Sequence, residues 1–387
     1  MRRIFHLLDE QEVFSDHAGG AISRWAANML RNGPEIIVCP SYDSSWGFPA
    51  ERLYVLPKWS WTDPVHPLLY RLPWFLQRPI YLAVFAPLLE KLRPGDILYV
   101  HNRPECAAVL ATVARQRGFT LMLHMHNSHL IRANRHQKAA LRNTPIVFVS
   151  EYLRAECQAA WPDHQAPTCV VYNGADDTIF HSGAPRRQSP PEIIFTGRLI
   201  PIKGVHILVE AMRLLESRGV QARCTIVGGS GFGNRRKTFY VRKLEAGKCA
   251  NTTLAGYRTG SAVAELLRDA DIYCLPSVWK DPFPLSVLEA LATGMPVVAS
   301  NTGGIPEELA WGGGLMVEPN NPKLLADALE SLIQNPGMRE RMGAEALVVF
   351  KEHFLWSTVR KQYESFLAQL GFSASEQQAA PGKMASQ

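Results

Sequence analysis

Across 387 residues no uninterrupted apolar run reaches the roughly 20 residues that a helix needs to cross a bilayer. The first stretch, MRRIFHLLDEQE, turns acidic after its apolar positions and has no small-residue cleavage site. It therefore reads as a first β-strand rather than a secretory leader. No Cys-x-x-Cys pair occurs. The 7 cysteines stand singly at Cys39, Cys106, Cys157, Cys169, Cys224, Cys249 and Cys274, which argues against a disulfide framework or a zinc ribbon and fits a reducing cytosol. The glycine-rich stretch IVGGSGFGNRR (226–236) lacks the G-x-G-x-x-G spacing, which disfavours a nicotinamide cofactor. No His-Glu-x-x-His is present. Charge of one sign is also scarce: a net +6 permits an anionic ligand or a membrane surface without requiring nucleic acid.

What is present points to a globular chain. Apolar residues make up 47% and charged residues 20%, enough to bury a sizeable core, and the length suits two domains. Short β-branched or apolar runs alternate with helical stretches. In the first half the strands are IFHLL, EIIVC, DILYV, TLMLHM and IVFVS, with helices near 20–32, 105–117 and 150–160. In the second half they are EIIFTG, CTIVGG, DIYCLPS and PVVAS, with helices near 204–218, 261–269, 286–293 and 322–335. The alternation predicts parallel sheets of βαβ units, and it runs twice. The expected architecture is α/β, with two doubly wound domains whose ligand sits in a cleft beyond the carboxyl ends of the strands. The first domain is expected over 1–180 and the second over 193–353. The polar, proline-rich stretch 181–192 is read as their linker, an amphipathic helix at 354–370 as packing back on the first domain, and 372–387 as a disordered tail. Residues 46–85, rich in proline and holding Trp46, Trp59, Trp61 and Trp74, break the alternation. They suit either an insertion packed over the first domain or a surface for an acceptor or a membrane interface.

Four stretches carry chemistry. SVWKDPFPLSVLEALATGMPVVAS (277–300) places Asp281 in a loop after a strand and Glu289 in the first two turns of a helix, with Pro284 at its start and Gly294 at its end. Carboxylates there suit hydrogen bonds from sugar hydroxyls better than contact with a phosphate, although a capping Asp and a surface Glu would look the same. FTGRLIPIKG (195–204) ends a strand at Gly197 and sets Arg198 and Lys203 before a helix. A bidentate fork and a point charge beside free amides suit a diphosphate, and two solvated loop cations remain the alternative. DHAGGAISRW (16–25) sets Gly19 and Gly20 before a helix, where the backbone can approach a ligand. LMLHMHNSH (121–129) puts His124 and His126 on one face of a strand end. They suit either a metal pair needing ligands from elsewhere or a single histidine reaching a substrate.

Together these stretches, in order, resemble the retaining glycosyltransferases of family 4, whose fold is GT-B, two Rossmann-like domains facing across a cleft. VSEYLR and VVYNGADDTIF add to the resemblance, which covers nearly the whole chain except 46–85. It implies that Arg198 and Lys203, beside Gly197, hold the diphosphate of a nucleotide-sugar, with uridine the expected base. It implies that Glu289 binds the ribose and Asp281 the donor sugar. Backbone amides near Phe283 and Leu285 would add contacts, His126 would stand beside the sugar, and Gly19 and Gly20 would form the first-domain glycine loop. Three positions depart from the pattern. Asp281 replaces a glutamate, Pro284 removes an amide donor, and Asn127 stands where aspartate is frequent. The expected reaction is retaining transfer of a hexose to a hydroxyl of a glycan or lipid-linked glycan of the cell envelope. It would need no metal and no cofactor beyond the nucleotide-sugar, would involve no nucleic acid, and would take place in the cytoplasm or at the cytoplasmic face of the inner membrane. A catalytically silent nucleotide-sugar-binding protein, a histidine-metal hydrolase using His124 and His126, and a phosphorylase or epimerase are the competing readings.

Overall fold

Strands of a parallel sheet covered by helices on both faces must be apolar along their whole length, and that is how most strands here are built. Ile4–Leu7 and Ile97–His101 are buried at every position, as are Ile272–Leu275 and Val297–Ser300. The computed structural model describes residues 2–9, 13–16, 20–56, 72, 74–183, 189–231 and 237–372. Trp59, Trp61, Gly19, the middle of the 181–192 stretch and the tail beyond 372 lie outside the described residues.

The chain divides into two units, the first made of residues 1–149, 154–171 and 360–387, the second of 150–153 and 172–359. The first contains β1 (Ile4–Leu7), α1 (Ala21–Met29), β2 (Ile36–Cys39), β3 (Leu53–Val55) and α2 (Trp74–Lys91). There follow β4 (Ile97–His101), α3 (Pro104–Arg117), β5 (Thr120–Met125), α4 (Arg135–Leu141), β6 (Ile146–Phe148), α5 (Glu151–Ala160) and β7 (Thr168–Val170). Its strands form one parallel sheet in the order β3-β2-β1-β4-β5-β6-β7. Helix ends follow local chemistry. Pro104 opens α3 and Gly118, left-handed at φ 74°, closes it. Asn134 and Gln137 form a reciprocal capping box on α4.

The second unit contains β8 (Glu192–Thr196), α6 (Val205–Ser217), β9 (Arg223–Val227), α7 (Phe239–Gly247), β10 (Thr252–Gly256), α8 (Gly260–Arg268) and β11 (Ile272–Leu275). It continues with α9 (Leu285–Ala292), β12 (Val297–Ser300), α10 (Ile305–Glu308), β13 (Gly314–Val317), α11 (Pro322–Gln334) and α12 (Pro336–Val349). A π-helical turn at Phe350–Phe354 leads to α13 (Trp356–Gln369), whose residues from Arg360 onward belong with the first unit. The second sheet is again all parallel, in the order β10-β9-β8-β11-β12-β13. In each sheet the order reverses beside its first strand, between β1 and β4 and between β8 and β11. Such switch points are where open α/β sheets bind ligands, at the carboxyl ends of the strands.

Two expectations shift. Residues 172–180, expected in the first domain, group with the second unit. The reason is local: the Tyr172 ring stacks on Phe283 at 4.9 Å, and Asn173 donates to the Phe283 carbonyl at 2.9 Å. Residues 150–153 join them, because the Glu307 carboxylate accepts the Glu151 and Tyr152 amides at 2.8 and 2.6 Å. The proline-rich region 46–85 also holds more regular structure than expected: β3 and most of α2, which runs through Pro79 and Pro87. Burial of Tyr81, Phe85, Leu88 and Leu89 outweighs the two lost helical hydrogen bonds. Among the described residues, no helix is long and apolar enough to cross a membrane.

Candidate active site

The second unit gathers most of the expected site residues at the switch point of its sheet. β8 ends, and after Gly197 the exposed Arg198 begins the turn toward α6. Leu199 N–H bonds the Gly229 carbonyl at 2.7 Å, tying this turn to the end of β9. A short helical turn, Pro201–Lys203, then delivers Lys203. Gly204 follows with φ 70°, in a place where a Cβ would lie 1.7 Å from the Pro276 carbonyl oxygen, so only glycine lets α6 start against the end of β11.

Across the switch point, the loop after β11 carries Asp281. Its carboxylate pairs with the Lys203 ammonium, both side chains being largely buried. The expected first acid is thus committed to the expected cation, and the two form one unit. The loop is held from behind. Gly303 has φ 64°, and a Cβ there would fall 2.2 Å from the Asp281 carbonyl oxygen, while Gly304 N–H donates to that same oxygen at 2.8 Å. Phe283 is buried, stacked on Tyr172 and edge-on to Phe354. Pro284 caps α9, and the helix begins at Leu285, one residue later than a proline in the first turn would place it. Glu289, buried, sits in the second turn. At the far end, the Gly294 amide bonds the Leu291 carbonyl with φ 72°, a glycine stop like the one the sequence indicated.

Two features of this unit escaped the sequence. The first is a cavity of about 390 Å³ at the carboxyl ends of β8, β9 and β10. Leu199, Gly228, Ser230, Tyr257 and Arg258 line it beside Val241 of α7. Only the glycine-rich run after β9 hinted at it. The second is Glu308. It is fully buried, its carboxylate oxygens have no hydrogen-bond partner, and burial raises it well above the usual carboxylate range. The nearby Asp281 and Glu307 push the same way, and Lys203 opposes them. A buried carboxyl group raised above the ordinary range therefore lies close to the Lys203–Asp281 pair, and two adjacent glutamates gave no sign of it. Glu307 is raised too, chiefly by burial, despite its two amide donors.

The first unit holds the other candidates. Gly20 is buried at the start of α1, and its carbonyl accepts the Arg24 amide at 3.1 Å. His126 is half-buried just past the end of β5. Its amide and that of Asn127 both donate to the Asn102 side chain, at 3.2 and 3.1 Å. Asn102 holds a left-handed backbone (φ 59°) after β4, a conformation asparagine tolerates better than most residues. His124 and His126 do lie together, with ring centroids 4.1 Å apart. Two further histidines join them: His101, aligned with His124 across β4 and β5, and His6 of β1. Burial lowers His6, His101 and His124 well below the usual imidazole range and pushes His126 down to about 3. All four rings are therefore neutral at physiological pH.

The chain is similar to several known proteins. Residues 176–348 match the family model "Glycosyl transferases group 1". A D-inositol 3-phosphate glycosyltransferase of Corynebacterium efficiens is 35% identical over 215 residues, covering 52% of this chain and 50% of that protein. Among solved structures, sucrose-phosphate synthase from Thermosynechococcus elongatus superposes with a TM-score of 0.75 at 20% identity, over 96% of this chain and 99% of that one. Anabaena HepE in complex with UDP and glucose gives 0.71 at 18% identity, over 95% and 100%. The shared fold is GT-B, two Rossmann-like domains.

Proposed function

From a chain whose residues 176–348 match the family model of the glycosyl transferases group 1, we infer a retaining hexosyltransferase that uses a UDP-sugar and needs no metal for the transfer. The observation that carries this reading is the row of features along one sheet edge of the second unit. A cavity sized for a base lies at β10, β9 and β8, the cations Arg198 and Lys203 follow at β8, and Asp281 and Glu289 lie after β11. The base would meet the cavity, the diphosphate Arg198 and Lys203, the ribose Glu289 and the donor sugar Asp281. UDP is favoured because it occupies the similar fold of Anabaena HepE.

In a retaining transfer, negative charge grows on the departing diphosphate as the anomeric carbon becomes oxocarbenium-like. Arg198 offers a bidentate fork and Lys203 a point charge to that oxygen cluster. The attacking hydroxyl approaches from the leaving-group face, and the departing phosphate oxygen takes its proton. Asp281 serves in two ways: it fixes the position of the Lys203 ammonium, and its second oxygen can accept from a sugar hydroxyl. Glu289 binds the ribose diol. The Asp-for-Glu change shortens the first acid by one methylene and brings it onto the lysine.

The acceptor in this reading is a hydroxyl of a cell-envelope glycan or lipid-linked glycan, met at the cytoplasmic face of the membrane. Exposed apolar positions in and beside 46–85, Tyr42, Val55 and Leu76, support such a contact. The competing hydrolase reading is weaker, because His101 and His124 are fully buried and a hydrolytic metal must meet its substrate.

The test is a thermal-shift panel of nucleoside diphosphates and their sugars, with and without EDTA, followed by NMR of the product anomer. Stabilisation by UDP that survives EDTA, and an α-product from an α-donor, are the expected results. Inverted product would remove the retaining mechanism. Binding without any turnover across acceptor glycans would leave a silent binding protein.

A further inference from the structure

The histidines of the first unit are more than a packed core. His101 ends β4, His124 stands beside it in register on β5, and His126 follows at that strand's end. One ring nitrogen from each comes together, all three within 4.8 Å of one another. His101 Nδ1 and His126 Nε2 are only 3.0 Å apart. Two nitrogens bound to one tetrahedral zinc stand about 3.3 Å apart, given bonds of roughly 2.0–2.1 Å. His124 supplies the second observation. It is fully buried, yet neither ring nitrogen has a hydrogen-bond partner. Buried polar groups in native folds are almost always satisfied, so an orphaned imidazole facing two others calls for a ligand.

We propose that His101, His124 and His126 bind a single divalent transition-metal ion, with zinc as the expected occupant. Three imidazoles suit zinc, copper or nickel, whereas magnesium and calcium take oxygen ligands. The outer contacts fit the same assignment. A metal on His101 Nδ1 fixes that ring's proton on Nε2, which lies 3.1 Å from His6 Nδ1. His6 then carries its proton on Nε2 and donates to the Tyr363 hydroxyl at 3.1 Å. Ligating histidines regularly donate their other N–H in this way, and the donation fixes tautomer and ring orientation. The ion would replace the proton that His101 and His126 now share and would satisfy His124. His126, half-buried, marks the side from which the ion enters. The role is structural: the ion clamps the carboxyl ends of β4 and β5.

The proposal is tested on full-length protein purified without chelating resin, dialysed against Zn²⁺ and then gel-filtered. Elemental analysis is expected to find one zinc per chain, and Co²⁺ loading is expected to give the visible d–d absorption of a tetrahedral nitrogen site. His126→Ala and His124→Leu are both expected to lose the metal and the cobalt band, whereas His129→Ala, outside the set, retains them. Chelation is expected to lower the melting temperature of the wild type and leave that of His126→Ala unchanged. Failure of the wild type to retain zinc or to show the cobalt band would overturn the site, as would equal retention by His126→Ala. A His124→Leu variant melting as high as zinc-loaded wild type would mean that the ring is merely packed. The UDP-induced shift, read in the same preparations with and without EDTA, tests the transferase reading separately, so either idea can fail alone.

Discussion

Lys203 and Arg198 sit on the same turn but differ in what they lean on. Lys203 is paired with Asp281 in a largely buried contact, whereas Arg198 is exposed. Lys203→Ala should therefore lower turnover by about 10²–10³ through loss of charge stabilisation. It should also cost about 1–3 kcal/mol of stability, because it strands a half-screened carboxylate. Arg198→Ala should lower turnover comparably with a smaller loss of melting temperature, because its side chain is exposed. Equal melting losses in the two would mean that Asp281 does not depend on Lys203. Glu308 gives a second prediction, in pH. Its folded pKa is raised above the ordinary value of 4.5, so above that value the unfolded state binds fewer protons than the native state. Stability then falls as pH rises from about 4.5 through the folded pKa. Glu308→Gln, which mimics the protonated acid, should flatten that fall and stabilise the protein near neutrality by on the order of 1 kcal/mol or more. Urea unfolding at several pH values reads this directly, and parallel curves for variant and wild type would mean that Glu308 titrates normally.

At the scale of elements, the loop between β11 and α9 is shaped by a contact from elsewhere in the chain. Gly303 lies 22 positions beyond Asp281, yet a side chain there would collide with the Asp281 backbone. Gly303→Ala adds a left-handed penalty of roughly 1–2 kcal/mol to that clash. The loop must then shift, moving the carboxylate and, through the ion pair, the lysine. Turnover should fall by at least tenfold with UDP affinity less affected, since the cavity at β8, β9 and β10 does not touch this loop. The order and type of elements were largely legible, because buried parallel strands and amphipathic helices leave strong periodic signals. The strands missed were short ones such as β3, β7 and β13 at sheet edges, where half-burial weakens the pattern. In α2, prolines argued for irregularity, and only the burial of its face restores the helix.

At the scale of the molecule, residues beyond Arg360 complete the first unit although they are the last described in the chain. Tyr363, Phe366 and Leu367 are buried there, and Arg360 pairs with the fully buried Glu35 at 2.6 Å. Ending the chain at residue 359 removes three buried side chains worth roughly 1.5–3 kcal/mol each and takes from Glu35 its ion-pair partner Arg360. The first unit should then lose at least about 5 kcal/mol. Limited proteolysis should cut it at denaturant levels where the second unit still resists, and identical resistance of both units would contradict this.

The sequence by itself determined the fold class, the twofold repeat of βαβ units, the places where glycine and proline begin and end helices, and the candidacy of Arg198, Lys203, Asp281, Glu289 and His126. These are local matters of period, turn chemistry and residue type, and a chain displays them wherever it is read. Only the tertiary structure decided that Asp281 holds Lys203, that Glu308 lies buried and uncompensated beside them, and that His6 and His101 join His124 and His126. Those relations depend on which strands become neighbours, and strand order in a parallel sheet is set by packing across the whole domain rather than by any short stretch.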